Sequence, residues 1–240
     1  MHNIDYISIL AGGFCKFECS FCVGNEIRRN ETPKFSKKIK SFIECFSDQT
    51  NLLSVSGDTS DPCFIEETYE IPKYAKKINK DLKITLHTRN KNIAEKAIKS
   101  GYDKYVLSIN EKFLTNISDF NIEIFKKLSK EQKIRLSIVI TNENIDFFYG
   151  RGNIIEEIIK LFEEIQITLR PNVFEDVSII KKLKEYFGEW EQRENGVEVL
   201  KSNNKIWLWD YRKTNEKIKA VYLFSNGEIS SNCKWKKIIK

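Results

Sequence analysis

Two hydrophobic rhythms alternate along the chain. Ile4 to Leu10 is a compact apolar run of strand type, and Gly12 and Gly13 behind it let the backbone turn sharply. Lys38 to Phe46 then carries Ile39, Phe42, Ile43 and Phe46 at spacings of three and four, the mark of a helix with one buried stripe. Leu52 to Ser56 reads as a buried strand. Pro72 fits the first turn of a helix reaching about Lys80, and β-branched and apolar residues make Leu82 to Thr88 a strand. Asn90 caps a predicted helix over Lys91 to Lys99 that Gly101 ends. The alternation continues with strands at Tyr105 to Ile109, Ile134 to Ile140 and Ile165 to Leu169, and with helices at Ile122 to Leu128, Asn153 to Phe162 and Val177 to Phe187. Strand and helix taking turns in this way predict an α/β fold with a parallel sheet and right-handed crossovers. About six such units are too few to close an eight-stranded barrel of the usual length.

Near Gly196 the rhythm changes. Lys205 to Tyr211 places Trp207 and Trp209 on one face and Ile206, Leu208 and Asp210 on the other. Ala220 to Phe224, the Asn226-Gly227 turn and Ile229 to Ser231 read as antiparallel β structure. The expected division is a core over residues 1–195 and a small C-terminal β extension over 196–240 that closes or flanks it. A length of 240 residues suits one large α/β domain with such an appendage. With 41% hydrophobic and 31% charged residues there is material for a core and no signature of disorder.

No apolar run approaches the roughly 18 residues that span a bilayer. The opening Met1-His2-Asn3-Ile4-Asp5 lacks the basic-then-apolar layout of a signal peptide, so a cytoplasmic protein without membrane association is expected. The net charge of +6 is spread through mixed runs such as Lys73, Lys76, Lys77 and Lys80. These read as solvated helix faces; a nucleic-acid footprint needs denser clustering.

Six cysteines in a reducing compartment argue against a disulfide framework. Cys15, Cys19 and Cys22 crowd into eight residues, whereas Cys45, Cys63 and Cys233 are scattered. Thiolates this close wrap one soft metal centre, zinc or an iron–sulfur cluster. Structural zinc would need a distant fourth ligand such as Cys63, Cys233 or His87. Three thiolates on four irons leave one iron open, which is the mark of a reactive centre.

The segment Cys15-Lys16-Phe17-Glu18-Cys19-Ser20-Phe21-Cys22 resembles the signature of the radical S-adenosylmethionine (radical SAM) superfamily, with Phe21 at its aromatic position. The resemblance covers roughly residues 4 to 170. It implies a partial (βα)6 TIM-like barrel with a small C-terminal antiparallel β extension, and a [4Fe-4S] cluster held by Cys15, Cys19 and Cys22. It also implies an oxygen-sensitive enzyme that reductively cleaves S-adenosylmethionine to a 5′-deoxyadenosyl radical, which abstracts hydrogen from substrate. The cofactor supplies that chemistry, and the protein positions it. An external one-electron reductant such as flavodoxin or ferredoxin belongs with it.

By the same resemblance Ser56, Gly57 and Asp58 stand where the superfamily binds the SAM amino group, with Ser for the first Gly and Asp for Glu. Asp58 is one methylene short, so either it or Asp61 takes the polar role. Ser108 matches a contact to the SAM carboxylate or ribose, Leu169 a backbone contact to adenine, and Ser137 is a further cofactor-binding candidate.

The catalytic residue is not specified by the sequence; the candidates are Cys233, His87 and Arg170. His87 reads either as a hydrogen-bonding strand-end residue or as a cofactor or substrate contact. Arg170 either clamps a substrate carboxylate or phosphate or closes its strand. Cys233 ends a segment, Val221 to Cys233, that resembles the strand-turn-strand found after the barrel in some radical SAM subgroups. As a lone thiol it is a buried small residue or a hydrogen donor, and no complete second cluster is expected. Trp207 and Trp209 read as packing residues or a stacking platform, and Arg135 as a salt-bridged or outward residue within its strand. The substrate expected first is a small molecule or peptide. Modification of tRNA or another nucleic acid is the alternative, and a non-catalytic iron–sulfur or zinc protein is the alternative of another class.

Overall fold

The computed structural model describes residues 4–13, 15, 35–90, 95–109, 122–149, 154–162, 164–172, 177–193, 197–210 and 218–231. The chain divides into two compact units, one of Met1–Tyr105 with Lys217–Lys240 and one of Val106–Glu216.

In the first unit the strands are β1 (Tyr6–Ala11), β2 (Leu52–Gly57), β3 (Lys83–Thr88), β10 (Ala220–Leu223) and β11 (Ile229–Ser230), in the order β11-β10-β1-β2-β3. Ile7 lies beside Leu53, and Leu53 beside Ile84, in parallel register. Helix α1 (Ile39–Phe46) connects β1 to β2 and buries Ile39, Phe42 and Ile43. Helix α2 (Ile71–Ile78) connects β2 to β3, with Ile71, Pro72 and Ala75 inward and Pro72 in the first turn, where its missing N–H costs nothing. Asn79 ends α2, and its Nδ2 donates to the Ser47 carbonyl at 2.6 Å, which joins the C-terminal ends of the two helices. Helix α3 (Glu95–Lys99) precedes β4 (Lys104–Ile109), the strand in which one unit passes into the other.

In the second unit helix α4 (Ile122–Lys130), β5 (Ile134–Ile140), helices α5 (Ile145–Tyr149) and α6 (Ile154–Leu161), β6 (Gln166–Pro171) and helix α7 (Ser178–Phe187) follow one another. Then come β7 (Trp190–Gln192), β8 (Val197–Leu200) and β9 (Ile206–Trp209), giving the order β5-β6-β9-β8-β7. Strands β5, β6 and β9 are parallel, while β8 runs antiparallel to both β9 and β7.

The strands and helices predicted from periodicity are present, most within a residue or two of the expected ends; residues 91–94 of the helix expected after Asn90 lie outside the described residues. The late strands add a feature that local sequence does not carry. They are antiparallel in the β7-β8-β9 meander and the β10-β11 hairpin, yet β9 joins β6 and β10 joins β1 in parallel. Strands β7 and β8, the short helix α5 and the 3-10 turns at Pro62–Phe64 and Glu66–Glu70 were not foreseen. Among the described residues no helix is long and apolar enough to cross a membrane.

Candidate functional site

Parallel strands between helices are ordinarily apolar on both faces. Here each unit breaks that rule on one face. In the first, successive residues of β1, β2 and β3 alternate between Ile7, Ile9, Leu53, Val55, Ile84 and Leu86 on one side and Ser8, Ser54, Ser56, Thr85 and His87 on the other, where buried Leu10, level with Ser56, is the apolar exception. Ser8 is also level with Tyr222 of β10, and the Tyr6 and Tyr222 hydroxyls lie 2.6 Å apart on this polar side. The candidates Ser56 and His87 therefore share a face, both half-buried, one register step past the Val55–Leu86 pair.

The backbone after β2 folds over the end of β1. The amides of Asp58, Thr59 and Ser60 all donate to the Ala11 carbonyl, at 2.9, 3.3 and 3.4 Å, and the Gly13 amide donates to the Thr59 hydroxyl at 3.1 Å. Gly57 makes this possible: a Cβ there would lie 2.3 Å from the Ser60 carbonyl oxygen. Gly13, with φ near +137°, sits in a region that L side chains rarely adopt. Cys15 follows two residues later, half-buried and in no disulfide.

Asp58 and Asp61 are both buried, and each ties this loop to a different strand. Asp58 Oδ2 accepts from the Ser225 amide at 3.2 Å and from the Ser225 hydroxyl at 2.6 Å, linking the loop to the end of β10. Asp61 Oδ1 accepts from the Cys63 amide at 2.9 Å and the Thr88 hydroxyl at 2.7 Å, and its Oδ2 accepts from the Arg89 amide at 2.6 Å. Burial raises the pKa of Asp61, and the three donors only partly oppose that. Cys63 is buried beside it, and burial together with the Asp61 charge pushes its thiol up to about 12. The sequence offers Asp61 as an alternative cofactor contact; its partners in the structure are the Cys63 amide within its own loop and the Thr88 hydroxyl and Arg89 amide at the end of β3. Ser225 had no signal of its own, because it lies 167 positions from Asp58.

In the second unit Arg135, Ser137 and Val139 of β5 are in register with Gln166, Thr168 and Arg170 of β6, and Thr168 is level with Trp207 of β9. Apart from the apolar Val139 and Trp207, these positions make this the polar face, and Ile134, Leu136, Ile138, Ile167 and Leu169 form the apolar one. Ser137 is 2% exposed, Leu169 is fully buried and Arg170 half-buried; Ser108, on β4, is half-buried. Trp207 and Trp209 do share one face of β9 as expected.

Cys19, Phe21, Cys22 and Cys233 lie outside the described residues. Among the described residues no three metal-ligating side chains come together. The chemistry present nonetheless fits the implied groups. A reduced, half-buried thiol stands at the C-terminal end of β1, followed by the rest of the C-x3-C-x2-C segment. A glycine that tolerates no side chain and a buried carboxylate stand at the end of the next strand.

No family model matches the sequence, and no curated protein does. Solved structures do resemble it. Streptococcus suis SuiB bound to precursor peptide SuiA superposes with a TM-score of 0.66 at 16% identity, over 97% of this chain and 60% of SuiB. The chain thus spans three-fifths of that protein. BtrN in complex with AdoMet and 2-DOIA shows 12% identity over 69% of this chain and 70% of BtrN, with a TM-score of 0.43. Strand order, helix placement and the SuiB likeness agree: the chain has an α/β fold of parallel strands alternating with helices, with small antiparallel β elements added, and shares that fold with SuiB.

Proposed function

We propose that this protein is a radical SAM enzyme acting on a peptide or small molecule. One observation carries the reading: a C-x3-C-x2-C segment with an aromatic residue before its last cysteine directly follows the first strand of a fold shared with SuiB. Cys15, Cys19 and Cys22 would hold the [4Fe-4S] cluster, and their number leaves one iron for the methionine end of S-adenosylmethionine. The bound group supplies one-electron cleavage of S-adenosylmethionine for hydrogen abstraction from the substrate.

The chain's own residues bind and orient. Ser56, Gly57 and Asp58 take the methionine amino end of the cofactor. The Ser225 amide and hydroxyl both donate to Asp58 Oδ2. Ser225 then acts as a positioning residue that fixes the carboxylate rotamer. His87, on the same face as Ser56, is the candidate side chain of this unit for contact with substrate. A peptide is favoured over a small molecule because SuiB was solved with a precursor peptide. Electrons come from an external donor of the flavodoxin or ferredoxin kind.

Anaerobic reconstitution tests the reading. Wild-type protein should take up a brown [4Fe-4S] cluster and, with S-adenosylmethionine and dithionite, yield 5′-deoxyadenosine. Cys15→Ala, Cys19→Ala and Cys22→Ala should each lose the cluster, and Cys45→Ala should keep it, since Cys45 is exposed on α1. A colourless, iron-free wild type, or loss of the cluster in Cys45→Ala, refutes the proposal.

A further inference from the structure

Arg135 is the strongest anomaly in the second unit. It is the second residue of a parallel strand, half-buried, and its Nε has no hydrogen-bond partner among the described residues. Burial alone pulls its guanidinium pKa down, with no charge of either sign contributing. Arginine stays protonated under such pressure, so the charge is present and uncompensated. Thr168, on the neighbouring strand, is 2% exposed, and its hydroxyl likewise has no partner among the described residues.

The two anomalies coincide in space. Arg135 is level with Gln166 and Ser137 with Thr168, so Arg135 and Thr168 are diagonal neighbours on the polar face. Strand geometry puts their Cα atoms about 8 Å apart, within reach of an arginine side chain. A folded chain rarely leaves buried polar atoms unsatisfied, and two on one face signal a missing acceptor. The Nε–Nη edge of a guanidinium offers two parallel donors, which match the two oxygens of a carboxylate. A hydroxyl diagonal to that edge supplies a third donor. Trp207, level with Thr168, continues the face with an apolar wall.

We infer that Arg135 and Thr168 form a carboxylate-binding subsite on the polar face of β5 and β6. That the carboxylate belongs to the substrate, as an acidic side chain or the terminus of a peptide, rests on the function proposed above. The binding itself does not.

Ligand-free protein is titrated with N-acetyl-glutamate amide and with its neutral isostere N-acetyl-glutamine amide, following the thermal unfolding midpoint and tryptophan fluorescence. The carboxylate should raise the midpoint in a concentration-dependent way and the amide should not. Arg135→Gln should weaken carboxylate binding at least about tenfold, the loss expected for one charge-assisted pair. Thr168→Val, which preserves shape, should weaken it by a smaller factor and covers the case in which Arg135→Gln does not fold. Equal responses to the two probes, no response to either, or a carboxylate response that survives both substitutions overturns the inference. Iron content after reconstitution reports on the parent reading separately: a protein that binds the carboxylate but no cluster overturns only the substrate assignment.

Discussion

Asp61 offers the sharpest test of how the loop after β2 is held. Asp61 is 6% exposed, and its carboxylate accepts three hydrogen bonds, one from Cys63 two residues on and two from Thr88 and Arg89, 27 and 28 positions away. In Asp61→Asn the best placement keeps the amide oxygen on the Cys63 amide and the Thr88 hydroxyl. The amide nitrogen then confronts the Arg89 N–H, donor against donor. A buried donor left without its acceptor costs about 1–3 kcal/mol, and neutralising the buried carboxylate returns part of that at neutral pH. The sign of the pH dependence follows from the raised pKa. Stability linked to Asp61 is fully present below the ordinary value of 3.8 and is lost as pH rises through the elevated folded-state value. The asparagine variant has no such loss, so its deficit should be largest in acid and should narrow towards neutrality. Thermal midpoints of both proteins from acid to neutral pH measure this directly, at about 2–4 °C per kcal/mol for a chain of this size. Asp61→Ala, which strands three donors, should be worse than Asp61→Asn at every pH. An asparagine variant as stable as wild type in acid, or a deficit that does not change with pH, would refute the account.

Two further outcomes follow from the same region. Gly57→Ala should lower stability by about 1–3 kcal/mol, because the new methyl group meets a backbone oxygen at 2.3 Å and the loop over Ala11 must shift; a denaturation midpoint unchanged from wild type would contradict this. Iodoacetamide at mildly alkaline pH should label Cys45 in native protein and leave Cys63 untouched until denaturant is added, since the Cys63 thiol is buried and its pKa is pushed up to about 12. Mass spectrometry reads the order, and equal labelling of both in the native state would show that the cluster around Cys63 opens readily.

Periodicity carried most of the fold because each helix and strand of the alternation is a local event. The stripe Ile39, Phe42, Ile43 and the run Ile134 to Ile140 are visible without any knowledge of neighbours. Pairing is not local, and so the parallel junctions of β9 with β6 and of β10 with β1 had no signal. Strand β7 is three residues long and largely exposed, too brief for a period to register. At the site, the cysteine spacing was legible because ligands to one cluster lie close in sequence. The bonds of Asp58 and Asp61 were not, since their partners come from distant strands. One signal was present and misread. Lys83 to Thr88 and Gln166 to Pro171 alternate apolar with polar residues although they are parallel strands, and Arg135 sits in the same rhythm. Read as salt-bridged or outward, Arg135 proved half-buried and without an ion-pair partner among the described residues.

The pairing of β10 with β1 bears on biosynthesis. A ribosome releases Tyr6–Ala11 long before Ala220–Leu223 exists, and until then that flank of the nascent sheet offers bare amides and carbonyls to any passing chain. The first unit therefore cannot mature as soon as its own first 105 residues emerge; it must wait for the tail to return. Late closure of this kind leaves that edge exposed for as long as translation of the intervening residues takes.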